Sequence, residues 1–297
     1  MLVHGQCRDA MSKNAPVPDV VPALTDDFLT AVDGEAPGLV EGLYLIGSVA
    51  LADFQPRTSD VDFVAVTAQR PDADEITALE RAHRRLRARW SRPFFDGIHV
   101  AWDDLGSGPA VCQAGPFAHA GRFGAAGRFE LNPVTWHVLA DHGVAFRGPP
   151  ASTIGVWTDR DVLASWTLDN LASYWRRWGQ ARSRLLSPAG ISSLAAGAST
   201  WAVLGVSRLH YTLATGDVTS KYGAGQYALS RFDARWQRII RESLRLRRGE
   251  VSASLYQTAF GRRRDALTFL SMVIDDARHD GATEVDRGSL GACSAPT

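Results

Sequence analysis

The chain has 297 residues, enough for two domains that each bury a core, and its 45% hydrophobic and 22% charged residues are the proportions of a soluble globular protein. Basic and acidic residues balance at 32 each, which excludes a strong field toward nucleic acid or a membrane surface. Three widely spaced cysteines (Cys7, Cys112, Cys293) make neither a disulfide framework nor a zinc cluster and fit a reducing compartment.

No apolar run is long enough to span a bilayer. The first twenty residues interleave Arg8, Asp9, Lys13 and Asp19 with no apolar core for a secretory signal, so a cytoplasmic protein is expected. Residues 1–24, with their prolines and no periodicity, are predicted to be a flexible lead-in. Thr25 and Asp26 read as the N-cap of a helix carrying Phe28, Leu29 and Val32 on one face. Leu43-Tyr44-Leu45-Ile46, stopped by Gly47, reads as a buried strand, and Val61 to Val66, interrupted only by Asp62, as a second. Ile76, Leu79, Ala82, Leu86 and Trp90 recur at helical spacing, and a third strand covers about 95–101 before a turn at Asp103 and Asp104. The Gly-, Ala- and aromatic-rich stretch 106–130 takes no assignment. A helix near 133–141 and a strand at Val144-Ala145-Phe146 close this half, and Gly148-Pro149-Pro150 marks a boundary.

Beyond it the pattern turns helical, over about 159–185, 191–214, 219–231, 233–247 and 257–279. The expected organisation is an α+β domain at 25–150 with a mixed sheet flanked by helices, an all-helical domain at 151–280, and a disordered tail at 281–297.

The chemistry concentrates in Leu45-Ile46-Gly47-Ser48 and, a dozen residues later, Ser59-Asp60-Val61-Asp62. Asp60 and Asp62 are two apart on a strand, so both carboxylates point to one face. Two such carboxylates repel, and a divalent cation such as Mg²⁺ resolves the conflict while leaving coordination sites for phosphate. Gly47 lets backbone approach a phosphate closely, and the turn it opens offers free N–H donors.

An apolar strand ending in Gly-Ser, a spacer, and Asp-x-Asp on the next strand resembles the motif of the nucleotidyltransferase superfamily with the polymerase-beta-like fold. The resemblance implies that Asp60 and Asp62 bind metal ions holding a nucleoside triphosphate. It further implies a third acidic residue on a later strand, for which Asp96 is the candidate. His99, on the opposite face of that strand, reads as a packed or surface histidine.

In the helical half, Trp201 leads through Ser207-Arg208-Leu209-His210-Tyr211 and Thr215-Gly216-Asp217 to Ser220-Lys221. This resembles the bacterial aminoglycoside 3''-adenylyltransferases of the spectinomycin/streptomycin type, in which the active site lies between the two domains. Carried over, that resemblance assigns Arg208 and Lys221 to the triphosphate. Lys221 stands out independently, because the only other lysine is Lys13 and arginine supplies all remaining basic charge. Two departures are visible. The family's third carboxylate is a glutamate where this chain has Asp96, and the segment before Trp201 (187–200) carries no carboxylate for a polycationic drug. Trp166, Trp175 and Trp178 read as helix–helix core.

The expected activity is Mg²⁺-dependent transfer of AMP from ATP to a hydroxyl of a small-molecule acceptor, an aminoglycoside-type antibiotic by resemblance, with release of pyrophosphate. Asp60, Asp62 and Asp96 would be catalytic and metal-binding; Gly47, Ser48, Ser59, Arg208 and Lys221 would bind nucleotide. No nucleic acid or membrane partner is expected, and the protein is expected to act as a monomer. Two alternatives stay open: a nucleotide-binding protein with impaired catalysis, and a nucleotidyltransferase acting on a protein.

Overall fold

The computed structural model describes residues 17–290, with side chains described as far as residue 279. The described chain forms two compact units. Residues up to 105, with 112–130 and 141–155, make the first; 106–111, 131–140 and those from 156 onward make the second.

The first unit is built on a six-stranded mixed sheet. Its strands are β1 (Val40–Leu45), β2 (Val61–Thr67), β3 (Phe95–Ala101), β4 (Gly115–His119), β5 (Arg122–Gly127) and β6 (Val144–Arg147), in the spatial order β5-β4-β3-β2-β1-β6. Only β2 and β3 run parallel, joined by helix α3 (Ala73–Arg89); the other neighbours are antiparallel. Asp72 starts α3 with a capping box, accepting from the N–H groups of Asp74 and Glu75 while Glu75 accepts from Asp72 N–H.

Alternation along the strands decides what faces what. Val61, Phe63 and Ala65 of β2 and Phe95 of β3 enter one core with Leu79, Ala82 and Leu86 of α3 and with Val21, Leu24, Phe28 and Val32 of helix α1 (Val20–Glu35). That fills one face of the sheet and leaves Asp62 and Asp96 on the other.

The sequence reading of α1 needs correction. Helix α1 begins at Val20, and Thr25 lies inside it, its hydroxyl donating to Val21 O rather than capping an end. Val21 and Leu24 are buried, so burial outweighs the weak local signal and shortens the expected lead-in; residues 1–16 lie outside the described ones. The unassigned stretch after residue 106 contains the β4–β5 hairpin. Its two-residue turn places Ala120 (φ 50°) and Gly121 (φ 72°) in the left-handed region, the geometry of a type I′ turn. Ala-Gly is a less telling dipeptide there than Asn-Gly, which is why the turn escaped notice.

The second unit is helical. A single rod runs through α6 (Arg160–Asn170), a π-turn (Leu171–Trp175) and α7 (Arg176–Ser183). The short α8 (Pro188–Ser192) and the long α9 (Ala196–Thr215) follow. Gly216 ends α9 in the left-handed conformation (φ 71°) and donates to Thr212 O. Helices α10 (Lys221–Arg231), α11 (Gln237–Arg247) and α12 (Ala259–Leu290) pack around α9, with Val203, Leu204, Ile239, Ile240, Phe269 and Val273 in the core. Trp175 is buried in it and Trp178 packs against it, as their spacing predicted. Helix α12 runs to Leu290, across the first ten residues of the segment read as a disordered tail; 291–297 lie outside the described residues. No helix among the described residues is long and apolar enough to cross a membrane.

Candidate active site

The first unit brings Gly47, Ser48, Asp60, Asp62 and Asp96 to one place. Strand β1 ends at Leu45, and Ile46 N–H donates to Asp62 O at 2.9 Å, tying the following turn to the second strand. The turn, α2, spans only Gly47–Ala50. Gly47 has φ +57°, and a Cβ built on it would lie 2.1 Å from Oδ2 of Asp62. Glycine is therefore required twice, for its backbone and for the carboxylate pressed against it.

Asp62 and Asp96 are direct register partners across the parallel β2–β3 pair. Neighbours in register share a face, so the third carboxylate stands beside the second. Asp60, just ahead of β2, accepts through Oδ1 from Phe94 N–H at 3.1 Å and from the Arg92 guanidinium at 3.0 Å. Asp96 is 4% exposed. Its Oδ2 accepts from Ala120 N–H in the hairpin turn at 2.9 Å, with His119 Nδ1 at 3.4 Å, while its Oδ1 is buried without a partner. Burial raises the Asp96 pKa above the usual carboxylate value, and the charge of Asp60 adds to the rise; Ala120 N–H and His119 oppose it. Among the described residues, the Ser48 hydroxyl of the turn after β1 is likewise buried with no partner.

The donor set is one of hard carboxylate oxygens, the chemistry that suits Mg²⁺, and the orphaned Oδ1 of Asp96 is an atom that a cation or a proton would satisfy. Among the described residues, however, no three His, Cys, Asp or Glu side chains stand as a ready-made metal cluster. Each aspartate is held by its own neighbours: Asp60 by Arg92 and Phe94, Asp62 against Gly47, Asp96 by Ala120.

Ser59 lies in the loop just ahead of Asp60. It is buried, and its hydroxyl accepts from Gln55 N–H at 2.9 Å, shaping the loop between α2 and β2. Arg208 and Lys221 belong to the second unit. Arg208 lies on α9, half-buried; Lys221 is the first residue of α10, behind the Ser220 cap, with Nζ 5.0 Å from the centre of the exposed Trp201 ring. Of the two readings left open for His99, the packed one holds: it is buried, 3.1 Å from His83 through the two Nε2 atoms.

Sequence reasoning missed Arg92, His119 and the amide of Ala120. Only the strand pairing places them near Asp60 and Asp96, and Ala120 acts through its backbone, which no residue type announces.

The first unit thus sets a strand and a left-handed glycine beside a parallel pair that carries register-matched aspartates. Residues 184–260 match the family described as aminoglycoside adenylyltransferase, C-terminal domain. The chain is similar in fold to the spectinomycin adenyltransferase AAD(9) from Enterococcus faecialis, whose crystal structure holds ATP and spectinomycin. That likeness has a TM-score of 0.61 at 12% identity and covers 84% of this chain and 99% of the other. No curated protein matches the chain. The chain thus resembles the aminoglycoside adenylyltransferases in its fold and in its C-terminal helical sequence.

Proposed function

We propose that the protein is an aminoglycoside-type adenylyltransferase, moving AMP from ATP to a hydroxyl of a small-molecule acceptor. The observation that carries the proposal is the pairing of Asp62 with Asp96, one seated against a glycine no other residue could replace and the other buried with an orphaned oxygen. A structural carboxylate has no reason to remain so incompletely satisfied.

Asp60, Asp62 and Asp96 would hold Mg²⁺, which supplies positive charge to the phosphates and to the developing transition state. Gly47 and Ser48 seat the triphosphate, the glycine by allowing close backbone approach and the serine through its buried hydroxyl. In the transfer, the acceptor oxygen bonds to the α-phosphorus as the bond to pyrophosphate breaks. Asp96 takes the acceptor's proton. Arg208 and Lys221 bring positive charge to the departing pyrophosphate, a role supported by the match of their segment to the adenylyltransferase family. Ser59 keeps the loop ahead of Asp60 in shape.

The test is pyrophosphate release and acceptor mass with ATP and Mg²⁺ across a panel of hydroxylated drugs that includes spectinomycin. The expected result is an acceptor carrying AMP, lost in Asp62→Ala while that variant keeps its folded circular dichroism. Undiminished transfer by folded Asp62→Ala would sink the proposal. Modification of a protein instead of a small molecule would redirect its acceptor.

A further inference from the structure

The face of the sheet opposite the aspartates contains a cavity of about 220 Å³ that the proposed transfer does not use. Its floor is apolar and buried: Leu86 of α3, Phe95 of β3 and Ala118 of β4. Its walls are flat rings, those of Trp90, Phe94 and Phe123. The one imidazole at its base, His83, is neutral, because burial drops its pKa to about 3.

The mouth has the opposite character. Arg84, Arg87 and Arg122 line it against a single acid, Glu80. Arg87 is already oriented: its Nη1 donates to Trp90 O and Ser91 O at 3.0 and 2.6 Å, and its guanidinium lies 5.0 Å from the centre of the Phe94 ring. A ligand meeting it gives up little side-chain freedom. Arg84 and Arg122 are exposed on α3 and β5.

An aromatic slot under an arginine mouth selects a flat apolar body with an anionic end. The volume bounds the body: an apolar cavity of about 150 Å³ accommodates benzene, so this one suits a ring system one step larger. We propose that this cavity is a binding site for a small aromatic carboxylate of about two fused rings. The ligand would touch Phe94, whose N–H holds Asp60, and Gly121, next to the Ala120 amide that holds Asp96.

The test is calorimetric titration of the purified full-length protein with 2-naphthoate, and with 2-naphthylmethylamine as the cationic counterpart. Binding is read directly, so the outcome does not depend on the transferase reading. One saturable site for the anion is expected, with the cation at least about tenfold weaker, as a charge-assisted contact requires. Reversing the exposed rim with Arg84→Glu and Arg122→Glu together should weaken the anion by about tenfold or more while the circular dichroism is unchanged. Absence of saturable 2-naphthoate binding, equal affinity for the cation, or an unaffected double variant would each overturn the assignment.

Discussion

Two buried carboxylates, one in each unit, are treated in opposite ways. Glu242 of α11 has no exposed surface, and both its oxygens are filled: Oε1 accepts from Arg245 and from the Ser254 hydroxyl, Oε2 from Arg245 Nε and from Leu255 N–H. Burial alone would raise its pKa, but these donors outweigh it and bring the value down to about 2. Asp96 keeps an orphaned oxygen and a negative neighbour, and its pKa goes up. A carboxylate whose every lone pair is matched ties a fold together; one left wanting is available for chemistry. The Glu242 knot pins the segment after α11, whereas Asp96 meets the β4–β5 turn through Ala120 N–H and His119.

Exchanging the charge at each position should separate the two roles. Asp96→Asn should remove transfer by about a thousandfold, since several kcal/mol of transition-state stabilisation depend on such a carboxylate. The same variant should melt no lower than the parent, because it relieves repulsion from Asp60. Thermal unfolding beside initial rates checks both; a large loss of stability would move Asp96 to the structural class. Glu242→Gln should do the reverse, costing about 3–5 kcal/mol in denaturant unfolding by stranding Arg245. Its rate per folded molecule should remain near the parent's.

Gly47→Ala tests the seat of Asp62. With its Cβ 2.1 Å from the carboxylate and φ at +57°, the alanine must push Asp62 away. An activity loss of about a hundredfold is expected, with about 1–2 kcal/mol of destabilisation from the backbone. Kinetics at saturating ATP and a melting curve measure the two parts.

The smallest effect is the pH dependence. The folded-state pKa of Glu242 lies below its ordinary 4.5, so its stabilisation is present above that pH and is lost as pH falls toward about 2. Asp96, with its pKa raised, works against the folded state once ionised, so its penalty fades as pH falls. Unfolding free energies from pH 7 down to 3 should drop less steeply in Glu242→Gln than in the parent, by about 3 kcal/mol at most.

The aspartate side of the candidate site was legible because its chemistry is local: Gly47-Ser48 and Asp60/Asp62 lie close together in the sequence. Asp96 was reachable through the strand pattern and the resemblance. The knot around Glu242 was not, since residues 242, 245, 254 and 255 meet only when the segment after α11 folds back. Likewise the Ala120 amide reaches Asp96 through a hairpin whose turn residues carry no distinctive side chain. The start of α1 was misread because an early Thr-Asp pair imitates a cap while burial of Val21 and Leu24 extends the helix.

The most direct test of the account is the transfer reaction measured in the parent, Asp62→Ala and Asp96→Asn side by side, with ATP, Mg²⁺ and spectinomycin among the acceptors. The account predicts an AMP-bearing acceptor from the parent alone, with both variants folded. Transfer at the parent's rate by either folded variant would contradict it.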